Sequence, residues 1–265
     1  MQTKKRKEPK MEIRKTCLAE VNSTNTWLLD ALANGTPQPE GTLVYTKRQT
    51  AGRGQVGNRW ESEPDRNISF SLLLRPEFVP VQQQFVISEM CAMGILQGLQ
   101  TFGIDGLSIK WPNDIYVNDG KICGILIENR LVGSKLAESV LGVGINVGQI
   151  VWKGDAPNPT SMALHGVVAS PDEVMEEVVK CIASLYGLLH EPSGASAIHR
   201  LFCQHLYRGK GLHPYVDAQT GEAFEAEISG VDPHGPLLLR LVDGSERRYW
   251  FKEVRFALPC GVVKE

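Results

Sequence analysis

Two short stretches hold the residues best suited to chemistry. The first, QTAGRGQVGNRW (49–60), crowds Gly52, Gly54 and Gly57 in with Arg53 and Arg59 and closes on Trp60. Glycines let backbone N–H groups turn toward an anion. The arginines add fixed positive charge suited to phosphate or carboxylate, and Trp60 offers a flat apolar face. The second, IKWPNDIYVNDGKICGILIEN (109–129), carries Lys110, Asn113, Asp114 and Lys121. A strand delivers Lys110 and Trp111, Pro112 breaks the ladder, and Lys121 opens the returning strand. Two lysines, an amide and a carboxylate thus converge at one end of a sheet. Lysines neutralise phosphate oxygens, and an aspartate near phosphates helps to place a magnesium ion. Ile122, Ile125 and Ile127, with Gly124 among them, give a strand where a small apolar ligand could lie against backbone. Taken singly, each of these residues has a plainer reading as a solvated hairpin, a turn or a core tryptophan.

Gly52, Gly54 and Gly57 also match G-x-G-x-x-G letter for letter. A dinucleotide fingerprint must follow a strand and open an apolar helix, because the pyrophosphate sits on the helix N-terminus. Here NRWESEPDRN follows, polar and interrupted by Pro64. The match is to letters and not to context. No G-K-[ST] is present, so this is not a phosphate loop of the Walker type either.

The elements that must position these residues are legible from periodicity and punctuation. STNTWLLDALANG predicts a helix capped by Ser23 or Thr24 and ended by Gly35. GTLVYTK (41–47) predicts a strand leading into the glycine-rich stretch. NISFSLLLR (67–75) alternates, with Ile68, Phe70, Leu72 and Leu74 on one buried face. A long helix is expected over 82–102, with Val86, Met90, Met93 and Leu96 on one side. NDG (118–120) is a hairpin turn, and AESVLGVGINVG continues the sheet. Ser170, Pro171 and Glu173 open another helix as cap, first-turn proline and capping-box glutamate. A further helix covers about 195–207. Beyond about 210, short strands alternate with Asp-, Gly- and Pro-containing turns, which predicts a small all-β module.

Bulk properties bound the function. The 265 residues allow one large domain with a smaller one beside it, and 42% hydrophobic with 22% charged is an ordinary globular balance. A net charge of -2 argues against a protein that coats nucleic acid. Cysteines 17, 91, 123, 181, 203 and 260 form no C-x-x-C, which fits a reduced, cytoplasmic protein without a structural metal. The basic start, MQTKKRKEPK, is followed by no apolar signal region, and no apolar run reaches membrane-span length. Residues 1–12 read as a disordered, solvated tail.

QTAGRGQVGNRW, then KWPNDIYVNDGKICGILIE, then GVGINV resemble biotin–protein ligase (biotin–[acetyl-CoA-carboxylase] ligase), in the family's order, over about residues 15–165. The resemblance implies an α+β fold: a mixed-sheet catalytic domain with flanking helices over 13–209, an SH3-like β-barrel over 210–258, and a tail over 259–265. It implies activation of biotin by ATP to biotinyl-5′-AMP with release of pyrophosphate, Mg²⁺ assisting. Transfer to a lysine of a biotin carboxyl carrier protein follows. Carried over by position, Ser23, Thr24 and Asn25 line the biotin pocket with Gln49. Gly52, Arg53, Gly54 and Gln55 cover biotin and the acyl phosphate. Gly124 and Leu126 form the strand behind biotin, and Lys121 contacts the reacting carboxylate. Trp60, Lys110, Asn113, Asn146 and Arg255 serve the nucleotide, with Glu253 beside Arg255 in a looser match. Asp114 orients the metal or deprotonates the incoming lysine, and Lys121, Arg53 and Asp114 form the catalytic set.

Two departures stand out. Gln55 replaces the second arginine of the family's G-R-G-R, which predicts weaker retention of the adenylate. Some 15 residues precede the first match, too few for the winged helix of relatives that also repress transcription. A ligase form without DNA binding is therefore expected. No membrane association is expected, and a homodimer is compatible. A lipoate- or octanoate-transferring enzyme of the same fold is the nearest alternative.

Overall fold

The structure, a computed structural model, describes residues 11–55, 58–154 and 156–257. The basic tail before residue 11, Gly57 and the tail from 258 on lie outside the described residues. Along the chain the elements are β1 (Arg14–Cys17), α1 (Thr24–Ala33), β2 (Thr42–Thr46), β3 (Gly52–Arg53), β4 (Arg59–Trp60), β5 (Ile68–Leu74) and α2 (Phe85–Gln100). Then come β6 (Leu107–Lys110), β7 (Asp114–Val117), β8 (Gly120–Val132), β9 (Lys135–Ile145), α3 (Pro171–Leu189) and α4 (Gly194–Gln204). Five strands close the described chain: β10 (His213–Asp217), β11 (Ala223–Val231), β12 (Leu237–Leu241), β13 (Glu246–Tyr249) and β14 (Val254–Phe256). The fold is α+β.

Seven strands form a mixed sheet in the order β1-β2-β5-β9-β8-β7-β6. Only β1 and β2 run parallel; the other neighbours are antiparallel. Strand alternation gives the sheet two distinct faces. Phe70, Leu72, Leu141 and Val143 face the main core with α2 and α3. Val44, Leu73 and Val140 face α1 and close over Leu28. The sequence predicts one buried face for β5, yet all seven of its residues are buried. The second face, carrying Ser69, Ser71 and Leu73, is covered by α1 and the site. Likewise α2 is buried nearly all round rather than along one stripe. It packs against α3 and α4 as well as the sheet edge.

The helix ends follow local chemistry. Ser23 caps α1 by accepting from Thr26 N, and Ser170 with Glu173 makes a reciprocal capping box on α3. Asn118 takes φ 51° in the β7–β8 turn, a left-handed geometry that asparagine tolerates. The last five strands make an antiparallel sheet ordered β13-β12-β11-β10-β14. Its core runs into the main one, and Trp111 donates from Nε1 to Gly235 O at 2.8 Å. Trp111 also meets Phe251 edge-on, so the second module is docked on the segment that carries Lys110 and Asp114.

Candidate active site

A cavity of about 550 Å³ opens on the α1 side of the sheet, within the usual size of a ligand pocket. Two rows of residues across the sheet run beneath it and contribute Ser69, Gly144, Gly124, Asp114, Gly142 and Leu126 to its lining. One row runs Thr46, Ser69, Gly144, Gly124, Asp114 across β2, β5, β9, β8 and β7. The other runs Val44, Ser71, Gly142, Leu126. Neighbouring positions in a row are about 4.8 Å apart.

The second row carries a polar cluster. Ser71 Oγ meets Asn25 Oδ1 at 2.5 Å and Thr24 Oγ1 at 2.8 Å. Asn25 Nδ2 donates to Leu126 O and to Glu128 Oε2. Gln49 Oε1 accepts from Thr24 N at 3.0 Å. Asn25 lies directly over Gly142, where a Cβ would fall 2.7 Å from its Cγ and Nδ2. In the first row, the Trp60 indole rests on two facing glycines. A Cβ on Gly124 would lie 2.9 Å from Cζ3, and one on Gly144 3.0 Å from Cδ1 and nearer still to the ring nitrogen. The pyrrole edge therefore points across β9 toward Ser69. Both Trp60 Nε1 and Ser69 Oγ are buried without a hydrogen-bond partner among the described residues. Such atoms are rare in folded interiors and suit a polar ligand.

The charged end lies at β6 and β7. Lys121 Nζ pairs with Asp114 Oδ1 at 2.7 Å and lies 5.8 Å from the Trp60 ring centroid. Lys110 donates to Tyr116 Oη at 2.9 Å. Burial pushes the Lys110 amine below the ordinary lysine range; Asp114 opposes that shift, while Lys121 and Arg208 add to it. Asn113 Nδ2 donates to Ile125 O, and Asn113 lines the cavity. Arg255 lines the cavity from β14, together with Phe251, Lys252 and Phe256.

The structure brings most of the sequence candidates to this one cavity. Ser23, Thr24, Asn25, Gln49, Arg53, Gly54, Gln55, Trp60, Lys110, Asn113, Asp114, Lys121, Gly124, Leu126 and Arg255 all line it. Gly52 does not; a Cβ there would meet Gln49 Nε2 at 2.8 Å, so its part is to let β3 close on β4. Asn146 is buried behind the wall and donates to Thr160 O. Glu253 caps its own turn by accepting from Trp250 N. Arg53 is held by Glu128, with contacts at 2.8 and 3.2 Å. Of the three isoleucines of β8 only Ile125 reaches the lining, and Ile122 and Ile125 belong to the core. Ser69, Gly142 and Gly144 escaped sequence reasoning. The alternate glycines of GVGIN were the available signal, since glycine inside a strand marks close approach. Among the described residues no group of three or more His, Cys, Asp or Glu could hold a metal. One carboxylate with substrate phosphates and water is nevertheless a common magnesium set, and Asp114 fits it.

Residues 18–146 match the model of the biotin/lipoate A/B protein ligase family. Biotin–[acetyl-CoA-carboxylase] ligase of Paracoccus denitrificans is 30% identical over 232 residues, covering 84% of this chain and 92% of that protein. The chain belongs to the biotin/lipoate A/B protein ligase family. Relatives named as biotin ligases are among those it matches. The bifunctional ligase/repressor BirA of Bacillus spizizenii is 30% identical over 219 residues, and the chain spans 65% of its length. The fold is that of biotin protein ligase from Aquifex aeolicus, solved with biotin and ATP. That match has a TM-score of 0.73 at 23% identity and covers 92% of this chain and 99% of that one.

Proposed function

We propose that the chain is an ATP-dependent biotin–protein ligase. One observation carries this: a single cavity joins a polar end at Thr24, Asn25 and Gln49, where Arg53 and Glu128 neutralise each other, to a charged end at Lys110, Asp114 and Lys121, with a glycine-floored row between. Biotin has a neutral ureido head and an anionic tail, so its polarity matches in sequence. A carboxylate oxygen of biotin attacks the α-phosphate of ATP, forms the acyl–phosphate bond and expels pyrophosphate. Both reactants are anions. Lys121, Lys110 and Arg255 offset their repulsion and stabilise charge on the pentavalent phosphorus. Mg²⁺, held by Asp114 and substrate phosphates, would supply further charge compensation. The amine of a carrier lysine then attacks the acyl carbon, an amide forms, and AMP leaves. If Asp114 does not hold the metal, it takes the proton that the amine loses. Arg53 joins the ligand by exchanging Glu128 for it.

The biotin carboxyl carrier protein is the acceptor in this reading. The strand order β13-β12-β11-β10-β14, a meander whose last strand returns beside its first, supports an SH3-like label for residues 210–258, after a catalytic unit over 13–209. Lipoate fits less well, because its apolar head offers no hydrogen bonds to the polar end at Thr24, Asn25 and Gln49. The test is pyrophosphate exchange into ATP with biotin, lipoate or octanoate offered separately. Exchange that depends on biotin is expected; exchange with lipoate and none with biotin refutes the assignment.

A further inference from the structure

Strands β3 and β4 pair over two residues each and, among the described residues, with no other strand. So short a ladder cannot hold itself in place. Something beyond it must fix the Trp60 indole over Gly124 and Gly144. The residue that follows Trp60 is Glu61. Its Oε1 accepts from Lys153 N at 2.9 Å and from Gln149 Nε2 at 3.3 Å, and its Oε2 accepts from Gly154 N at 2.7 Å. Successive backbone N–H groups form a concave anion seat, and this carboxylate fills it. A Cβ at Gly154 would lie 2.8 Å from Glu61 Oε2, so a side chain there has to displace the carboxylate.

Gln149 strengthens the same connection. It is 1% exposed, and both ends of its amide are used. Its Oε1 accepts from Glu63 N and Asn67 Nδ2, and its Nε2 also donates to Val151 O. Gly148 N donates to Arg66 O. The loop 148–154 is thus clasped to residues 61–67, the segment directly after Trp60.

We infer that Glu61 is a positioning residue: seated on the Lys153 and Gly154 N–H groups, its carboxylate fixes the Trp60 strand and the 149–154 loop as one unit at the nucleotide side of the cavity. The inference rests on the biotin–ATP reading of that cavity. Thr24 and Asn25 of the polar end are held by α1 and the sheet instead. Loss of the clasp therefore raises the KM for ATP and spares biotin binding.

The experiment uses the full chain in biotin-dependent pyrophosphate exchange, with biotin binding alone measured by calorimetry. Glu61→Ala is expected to raise KM for ATP about tenfold, as for loss of charge-assisted hydrogen bonds, with kcat and the biotin Kd nearly unchanged. Glu61→Gln, which keeps an acceptor, falls between. Gly154→Ala pushes on the carboxylate and raises KM as well. The double variant Glu61→Ala/Gly154→Ala matches Glu61→Ala, because no carboxylate remains to collide. Hydrogen exchange without nucleotide reads the clasp directly: the amides of Lys153 and Gly154 lose protection in Glu61→Ala. Unchanged protection, unchanged KM, additive KM effects, or a parallel rise in biotin Kd overturns the inference. Exposed amides in a variant of a protein that shows no biotin-dependent exchange would uphold the clasp as geometry and overturn its role in nucleotide binding.

Discussion

Gly142→Ala is the sharpest probe of the polar end. The new Cβ would lie 2.7 Å from Asn25 Cγ and Nδ2. Asn25 cannot yield without breaking its contacts to Leu126 O at 3.2 Å, Glu128 Oε2 at 3.0 Å and Ser71 Oγ at 2.5 Å. Two neutral hydrogen bonds contribute roughly 0.5–1.5 kcal/mol each and one to a carboxylate roughly 1.5–3. Alanine in a strand returns about 0.5–1 kcal/mol relative to glycine. The net loss is about 3 kcal/mol, or a fall in Tm of roughly 6–12 °C for a chain of this size. The displaced amide also intrudes on the cavity, so biotin affinity falls at least about tenfold. Gly187→Ala is the control. Gly187 lies inside α3 with nothing within 4 Å of its Cβ position, so the same change stabilises by about 1 kcal/mol. Thermal melts and calorimetric biotin titrations of both variants decide the matter. A Gly142→Ala protein that melts and binds biotin like the wild type refutes the geometry of this floor.

Three further outcomes are expected. Asp114→Asn removes the carboxylate paired with Lys121 at 2.7 Å and lowers biotin-dependent pyrophosphate exchange by about 10²–10³; near-normal exchange would separate Asp114 from the chemistry. Gln55→Arg adds a cation to the cavity lining and slows dissociation of biotinyl-adenylate by about tenfold in a filter-retention assay, whereas an unchanged rate argues against a role for charge there. Arg130, and with it Arg75, holds the Glu138 carboxyl below the usual carboxylate range. Its contribution to stability is then complete above that range and is lost as pH falls through the depressed folded-state value. Glu138→Gln should flatten the acid limb of a Tm–pH profile, and a variant that keeps the wild-type slope would count against this.

Much of the fold is legible wherever the cause is local. Ser23 and Ser170 announce helix starts because a cap needs only a side-chain oxygen beside free N–H groups. Asn118 marks a turn because it tolerates a left-handed backbone. The candidate site was legible in a different way, through three separated motifs most of whose residues line one cavity, Gly52 and Asn146 excepted. Ser69 was not legible. Its position in an alternating strand reads as a solvated face, and only α1 and the neighbouring strands turn that face inward. The apparent exposure of one side of α2 fails for the same reason, since α3 and α4 cover it.

By itself, then, the sequence determined the element types, the helix caps, the inventory of charged and hydrogen-bonding groups, and the resemblance that ties them to biotin and ATP. Those follow from short-range sterics and from residue chemistry. Only the tertiary structure decided which groups share a row. The β5–β9–β8–β7 register sets Ser69, Gly144, Gly124 and Asp114 side by side although they are up to 75 residues apart, a span read from their numbering. Register is a property of paired strands and is fixed by burying one face of each, so no single stretch of the chain encodes it.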